Sequence, residues 1–376
     1  SGFQDTKITN IHLPSTLEEI GDDAFYRCQS LMCEVTFPES LKTIASCAFG
    51  GTGIKGNLSL PDNLESIGGH AFINCSGLTG SLTIPEKITE IPAYAFNGCG
   101  FTGTLNLPRG VEQIGECAFS NNGFKGELNL PDGVSIIGNG AFESTLFNGT
   151  VVFPKELMSL GEGVFSGCWR LGGVVEIPEN IIAVPGFLFF NCSGIEGVRF
   201  HKGVEVVNAY AFCGCTGINT LECEAKNPPV LHSETFSGVA KDNFTIEVPE
   251  ASVTQYRNAS VWNEFRRFAA HRDFSVSRGL YRTLNAECSK TFVLRASSGQ
   301  AWSVESKPDW VEVSPASGVG KVDVTVTMSS LAQGSGNRSG EIVFLLDGKD
   351  YRTRMVVEQY DYQYSDGDVV QLQEAA

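Results

Sequence analysis

Residues 82–101 read LTIPEKITEIPAYAFNGCGF, and residues 105–124 read LNLPRGVEQIGECAFSNNGF. The second stretch repeats the first 23 residues later, with the proline, four apolar positions, the Ala-Phe pair and the closing Gly-Phe in phase. Working outward, prolines fall at Pro14, Pro38, Pro61, Pro85, Pro108, Pro131, Pro154 and Pro178, always 23 or 24 apart. Phenylalanines fall at Phe25, Phe49, Phe72, Phe96, Phe119, Phe142, Phe165, Phe189, Phe212 and Phe236 with the same spacing. Each proline lies 11 residues before its phenylalanine, but the next proline follows after 12 or 13. A fixed half and a variable half describe a packed arc joined to a looser turn.

Three residues after the proline an apolar column runs Leu17, Leu41, Leu64, Ile88, Val111, Val134, Leu157 and Ile181. Six after it runs a second: Ile20, Ile44, Ile67, Ile91, Ile114, Ile137, Leu160 and Val184. Before each proline stands a short alternating run, such as Ser81-Leu82-Thr83-Ile84 or Thr104-Leu105-Asn106-Leu107. Alternation with period two marks a half-buried strand. A strand, a turn and a helical or 3-10 arc in about 23 residues make one coil of a solenoid. Such a coil buries its faces only against its neighbours.

On these units the chain resembles the BspA-type leucine-rich repeats of bacterial surface proteins. The resemblance covers roughly residues 8–270, with nine clear units and a degenerate tenth around Phe236. It departs in the extra turn glycines of LTGSLTIP and FTGTLNLP, and in the unit at His201, which replaces the proline. Beyond it, Val253, Tyr256, Val261, Phe265 and Phe268 stand at near-helical spacing and predict an amphipathic capping helix over 251–268.

From about Asp273 the period is lost. Strand-like runs follow at Thr291–Ala296, Trp302–Glu305, Val311–Val313, Lys321–Met328, Gly340–Leu346 and Tyr351–Gln359, parted by turn signals. Trp302, Trp310, Ser314-Pro315-Ala316-Ser317-Gly318, Arg338-Ser339-Gly340 and Glu358-Gln359 make this region similar to the BACON domain of Bacteroidetes proteins. The expected fold class is therefore an α/β leucine-rich-repeat solenoid, right-handed, with short strands and helical or 3-10 arcs, followed by an all-β immunoglobulin-like sandwich. The expected divisions are repeats over 1–250, a helical cap over 251–272, the BACON-like sandwich over 273–360 and a tail or linker over 361–376. The tail, acidic and then apolar again, reads as a lead into a further domain. The two resemblances together imply a protein of the extracellular or outer-membrane surface, exported by a signal peptide that this sequence does not include.

Composition narrows the function. A net charge of −16 repels phosphate backbones and anionic head groups, which argues against nucleic acid and against lipid docking. No run approaches the ~20 apolar residues of a membrane-spanning helix. Among the 12 cysteines, Cys28, Cys75, Cys99, Cys168, Cys192 and Cys215 sit three after the repeat phenylalanine. A single phase reads as small interior fillers, although stacking also brings Cys75 near Cys99, and Cys168 near Cys192, where a bridge is geometrically allowed. The histidines inside the repeats, His12, His70, His201 and His232, occupy four different phases and align into no metal column. No His-Glu-x-x-His, Gly-x-Ser-x-Gly or phosphate-loop motif occurs. The expectation is a chain without catalytic residues, metal or cofactor.

The outward strand positions are the candidate site. One column runs His12, Thr36, Ser59, Thr83, Asn106, Asn129, Val152, Glu176 and Arg199; its neighbour runs Asn10, Glu34, Asn57, Ser81, Thr104, Glu127, Thr150 and Val174. Asn57, Ser59, Ser81, Thr83, Thr104, Asn106, Glu127, Asn129, Glu176 and Arg199 are the candidate ligand contacts. They form either a recognition surface, as solenoids use such faces, or ladders that satisfy one another. His12 is the sole aromatic ring in either column, which favours a protein of a host or bacterial surface over a sugar. The expected function is adhesion by the solenoid with the sandwich as spacer. Its alternatives are a glycan-binding accessory protein, with Trp302 or Trp310 stacking on sugar unless both are core, and the non-catalytic front of a larger enzyme.

Overall fold

Each coil of the repeat region ties its backbone chiefly to the next coil. In the first arc the amides of Asp23, Phe25 and Arg27 donate to the carbonyls of Ser46, Ala48 and Gly50, one coil on. Those between them, Ala24, Tyr26 and Cys28, donate three residues back. The computed structural model describes residues 2–270, 274–276, 280–284, 287–296, 299–332, 334–348 and 351–361. Contacts divide the chain into two units, Ser1–His271 and Arg272–Ala376. His271 and, from residue 362 onward, the tail expected over 361–376 lie outside the described residues.

The arcs are not helical, and this corrects the α/β expectation. The residue two before nine of the repeat phenylalanines, from Phe25 to Phe212, takes a positive φ, as at Asp23 (53°), Cys47 (56°), His70 (60°) and Tyr94 (59°). So does the residue two after each of them, as at Arg27 (57°) and Asn74 (57°). A right-handed helix needs an unbroken run of negative φ to close its bonds to the fourth residue back. Left-handed residues at four-residue intervals interrupt that run, and the freed amides reach the neighbouring coil instead. The only α-helix among the described residues is Val253–Asn258.

The arc segment instead contributes strands. The two-residue pieces Glu19–Ile20, Thr43–Ile44 and Ser66–Ile67 form a parallel sheet. Glu90–Ile91, Gln113–Ile114, Ile136–Ile137 and Ser159–Leu160 form the next, and Ala183–Val184, Val206–Val207 and Val230–Leu231 a third. In every piece the second residue is buried and the first faces outward. This post-proline ladder runs beside a pre-proline one. The latter is fragmentary early, pairing Lys55–Asn57 with Gly77–Thr79 and Leu82–Thr83 with Leu105–Asn106. Later it becomes a continuous parallel sheet of Gly173–Glu176, Ile195–Phe200, Thr220–Cys223, Thr245–Val248 and Arg267–Ala270. The result is a β-solenoid.

Inside it the repeat phenylalanines stack as a spine. Eleven rings from Phe3 to Phe236 follow one another with centroids 5.1 to 5.9 Å apart and planes within 22°. Such offset aromatic pairs add to the burial of the rings themselves. Phe3 makes the first rung, ahead of the units recognised from the sequence. The preceding alanines, Ala48, Ala71, Ala95, Ala118 and Ala141, are fully buried and let coils approach. Three residues after the phenylalanine the thiols are free and hydrogen-bonded: Cys75, Cys99, Cys168, Cys192 and Cys215 donate to the carbonyls of Phe49, Phe72, Phe142, Phe165 and Phe189. Asn122 makes the same contact to Phe96 through its amide. The position wants a small buried donor, which is why Cys and Asn exchange there. His201, at the missing proline, accepts from the Gly203 amide and turns its other ring nitrogen to the Ile181 carbonyl.

The cap departs from the expected helix over 251–268. Helical turns occupy only Glu250–Ser252, Val253–Asn258 and Trp262–Glu264. Ala259 is extended and Val261 takes φ 67°, so the helix ends, and Arg267–Ala270 returns as a strand of the sheet. Tyr256 and Trp262 close the core, donating to the carbonyls of Ala225 (2.7 Å) and Pro229 (2.8 Å).

The second unit contains two sheets. Phe274–Val276, Cys288–Ala296, Val322–Met328 and Val311–Ser314 form one in that order; Leu280–Leu284, Tyr351–Tyr360, Arg338–Leu346, Ala301–Ser306 and Ser317–Val319 form the other. Phe292, Leu294 and Val326 of the first share one core with Trp302, Phe344 and Met355 of the second. The six expected runs are all strands. Ser317–Val319, which overlaps the Ser314–Gly318 motif, is an edge strand, and Phe274–Val276 and Leu280–Leu284 were not expected at all.

Candidate functional site

The polar columns are outward and partly self-satisfied. Asn57, Ser59, Ser81, Thr83, Thr104, Asn106, Glu127 and Asn129 are exposed, and Glu176 and Arg199 half-buried. The Thr104 hydroxyl and amide both donate to the Ser81 hydroxyl, at 3.1 and 3.0 Å. Asn106 donates to the Thr83 hydroxyl at 3.0 Å. Arg199 is clamped, its guanidinium 2.7 Å from the carboxylates of both Glu176 and Glu222. Turn glycines make room for these side chains: a Cβ on Gly80 would lie 2.3 Å from the Asn57 amide oxygen, and one on Gly103 2.3 Å from the Ser81 hydroxyl. Ser59, Ser81, Thr83 and Asp62 also edge a shallow depression of about 290 Å³. Asn57 pairs with Thr79 rather than with Ser81, so the column is not continuous at that step.

A second surface was not singled out from the sequence. On the post-proline ladder five successive coils carry, at two adjacent phases, Ser135-Ile136, Met158-Ser159, Ile182-Ala183, Glu205-Val206 and Pro229-Val230. Ile136 is 38% exposed, Met158 67%, Ile182 52% and Val230 62%. The same phases in the five preceding coils hold Glu18-Glu19, Lys42-Thr43, Glu65-Ser66, Thr89-Glu90 and Glu112-Gln113. There, ions pair across coils, Lys42 with Glu18 at 3.0 Å and Lys87 with Glu65 at 3.3 Å.

These repeats are those of a known family. The BspA type leucine rich repeat region matches at residues 1–125, 54–172 and 125–241. The chain belongs to this family. The match ends before the second unit begins. Among solved structures, a leucine rich cell surface protein of Faecalibacterium prausnitzii A2-165 is 23% identical, over 57% of this chain and 59% of that one, with a TM-score of 0.38. A leucine-rich repeat protein of Bacteroides ovatus ATCC 8483 is 21% identical over 71% and 84%, with a TM-score of 0.44. The pneumococcal vaccine antigen PcpA is 20% identical over 71% and 69%, with a TM-score of 0.45. This chain thus spans less than two thirds of the length of the Faecalibacterium protein. No curated protein matches it.

In this BspA-type chain the two candidate tryptophans of the second unit are already engaged. Trp302 is fully buried, edge-on to Phe344 at 6.1 Å, and presents no face to solvent. Trp310 is half-buried, and the Arg338 guanidinium covers its ring at 4.4 Å. Among the described residues no three His, Cys, Asp or Glu side chains converge as a metal site, and no helix is long and apolar enough to cross a membrane.

Proposed function

We propose that this chain is a non-catalytic cell-surface binding protein whose solenoid contacts a protein partner through its post-proline ladder. The observation that supports this is the set of exposed apolar side chains Ile136, Met158, Ile182 and Val230, spread over two adjacent outward phases of the ladder, in coils that follow the charged ones. Soluble chains seldom leave contiguous apolar side chains in water without a use for them, and the apolar centres of protein interfaces have this composition. The polar columns, which precede the proline corner that the ladder follows in eight of the coils, supply the hydrogen-bonding rim. The second unit, an immunoglobulin-like domain of BACON type in this reading, spaces the solenoid from the cell surface of a Bacteroidetes bacterium.

The test is a panel of purified extracellular and bacterial surface proteins probed with the intact chain and with the double variant Met158→Asp/Ile182→Asp. A partner bound by the parent, and bound at least about tenfold more weakly by a double variant of unchanged melting temperature, supports the proposal. Binding indifferent to the double variant, or a chain that binds no member of the panel, removes it.

A further inference from the structure

The arc face carries an aromatic ladder with a gap. Two residues before the repeat phenylalanine, nine successive coils place Asp23, Cys47, His70, Tyr94, Cys117, Gly140, Gly163, Phe187 and Tyr210. All nine share a left-handed backbone, with φ between 49° and 61°. His70 and Tyr94 stack with centroids 4.8 Å apart and planes at 11°. Phe187 and Tyr210 stack at 4.8 Å and 18°, braced edge-on by Phe190. Between the two stacks, after Cys117, come the two glycines.

The backbone does not demand them. Seven coils carry a side chain at the same φ, so glycine's freedom is not what these rungs need. What glycine leaves is space. A Cβ at Gly163 would meet nothing nearer than 3.8 Å, and would stand 3.9 Å from the Phe187 Cβ, as the next rung of the ladder. The gap opens a shallow cleft of about 280 Å³ between Phe187 and Cys117, with Glu143 and Glu162 on its walls. Phe187 is 40% exposed. Neither Glu143 nor Glu162 has a basic partner among the described residues.

We infer that this cleft receives an arginine side chain of a protein partner, its guanidinium stacked on Phe187 at the Gly163 rung and paired with Glu143 and Glu162. A guanidinium is flat, stacks on aromatic faces and matches carboxylates with two donors at once. The molecule shows each half of that arrangement elsewhere. Arginines lie over aromatic rings at Tyr26 (5.0 Å), Trp169 (4.8 Å) and Trp310 (4.4 Å). Arg199 is held between the carboxylates of Glu176 and Glu222, brought together by stacked coils. A net charge of −16 favours a basic guest over an acidic one. The site involves neither Met158 nor Ile182, so it stands or falls apart from the apolar strip.

The experiment is an NMR titration of the full chain with acetyl-arginine amide, followed at the Gly140 and Gly163 amides, beside acetyl-lysine amide and methyl glucopyranoside. Saturable shifts at both glycines are expected with the arginine probe, and a response about threefold weaker with lysine, which lacks the flat face. Gly163→Tyr, which completes the ladder at a φ that Tyr94 and Tyr210 already tolerate, should abolish the response. Glu143→Gln/Glu162→Gln, which leaves packing alone, should weaken it about threefold or more at low salt. No saturable shift, an equal response to lysine, a stronger one to the glucoside, or indifference to the glutamine pair would each overturn the assignment.

Discussion

The post-proline ladder is two surfaces built on one scaffold. Over its first five coils the outward side is charged and polar and carries exposed ion pairs; over the next five it carries the exposed apolar residues Ile136, Met158, Ile182 and Val230 among Ser135, Ser159, Ala183 and Glu205. The inward side does not change: Ile20, Ile44, Ile67, Ile91 and Ile114 are followed by Ile137, Leu160, Val184, Val207 and Leu231, all buried. Coil stacking dictates the inner column, because each of these side chains fills space between two neighbours. It leaves the outer column free. A change of chemistry confined to the free column, at constant fold, is what the proposed binding role rests on.

The sharpest way to break the comparison is to attack what the halves share. Phe72→Ala in the charged half and Phe165→Ala in the apolar half should each cost about 3–5 kcal/mol, read by denaturant unfolding. A clear inequality would mean that the two halves are not one packed array.

Alkaline pH probes the same shared interior. Burial raises the thiols of Cys75 and Cys168, one in each half, to about 11, and that of Cys215 to about 12. The native state thus holds these protons longer than the unfolded chain, whose thiols titrate near 9. Their contribution to stability is whole below about pH 9 and lost as pH rises towards 11 and 12. The melting temperature should fall over that window, and native-state alkylation at pH 8 should spare these three thiols.

Outward substitutions should separate the halves. Met158→Asp/Ile182→Asp should lower partner binding about tenfold and leave stability within about 0.5 kcal/mol. The smallest effect belongs to the charged half. Lys42→Met breaks an exposed ion pair and should change stability by less than about 1 kcal/mol, with no change in binding.

Legibility in the sequence followed the same division. Inner columns were readable because packing repeats them: the 23- or 24-residue period, the phenylalanine spine and the buried Ile and Leu positions all stand in the letters. The arc was misread because a two-residue strand such as Gln113–Ile114 is too short to show a period of two. Its left-handed residues are spelled by glycine only in some coils, as at Gly140 and Gly163, and by Asp23, Tyr94 or Asn121 in others. Gly51, Gly98, Gly167 and Gly214, all two residues after a repeat phenylalanine, were the available signal against a helix. The cap was misread for a related reason: Val261 at φ 67° interrupts a helical spacing that its side chain fits. The polar columns could be located but their bonding could not, since Asn106 to Thr83 depends on register. The apolar strip and the aromatic ladder were equally visible as columns, but they lie outside the pre-proline run where the strands were sought.

The exposed apolar residues of the ladder are proposed as a protein-binding face. An aspartate scan tests that proposal most directly: one outward residue per coil, from Glu19 through Val230, each variant measured against the same purified partner protein. Losses of binding confined to Ile136, Met158, Ile182 and Val230 are expected, with the charged half silent. Losses centred on the charged half, or none along the whole ladder, would contradict it.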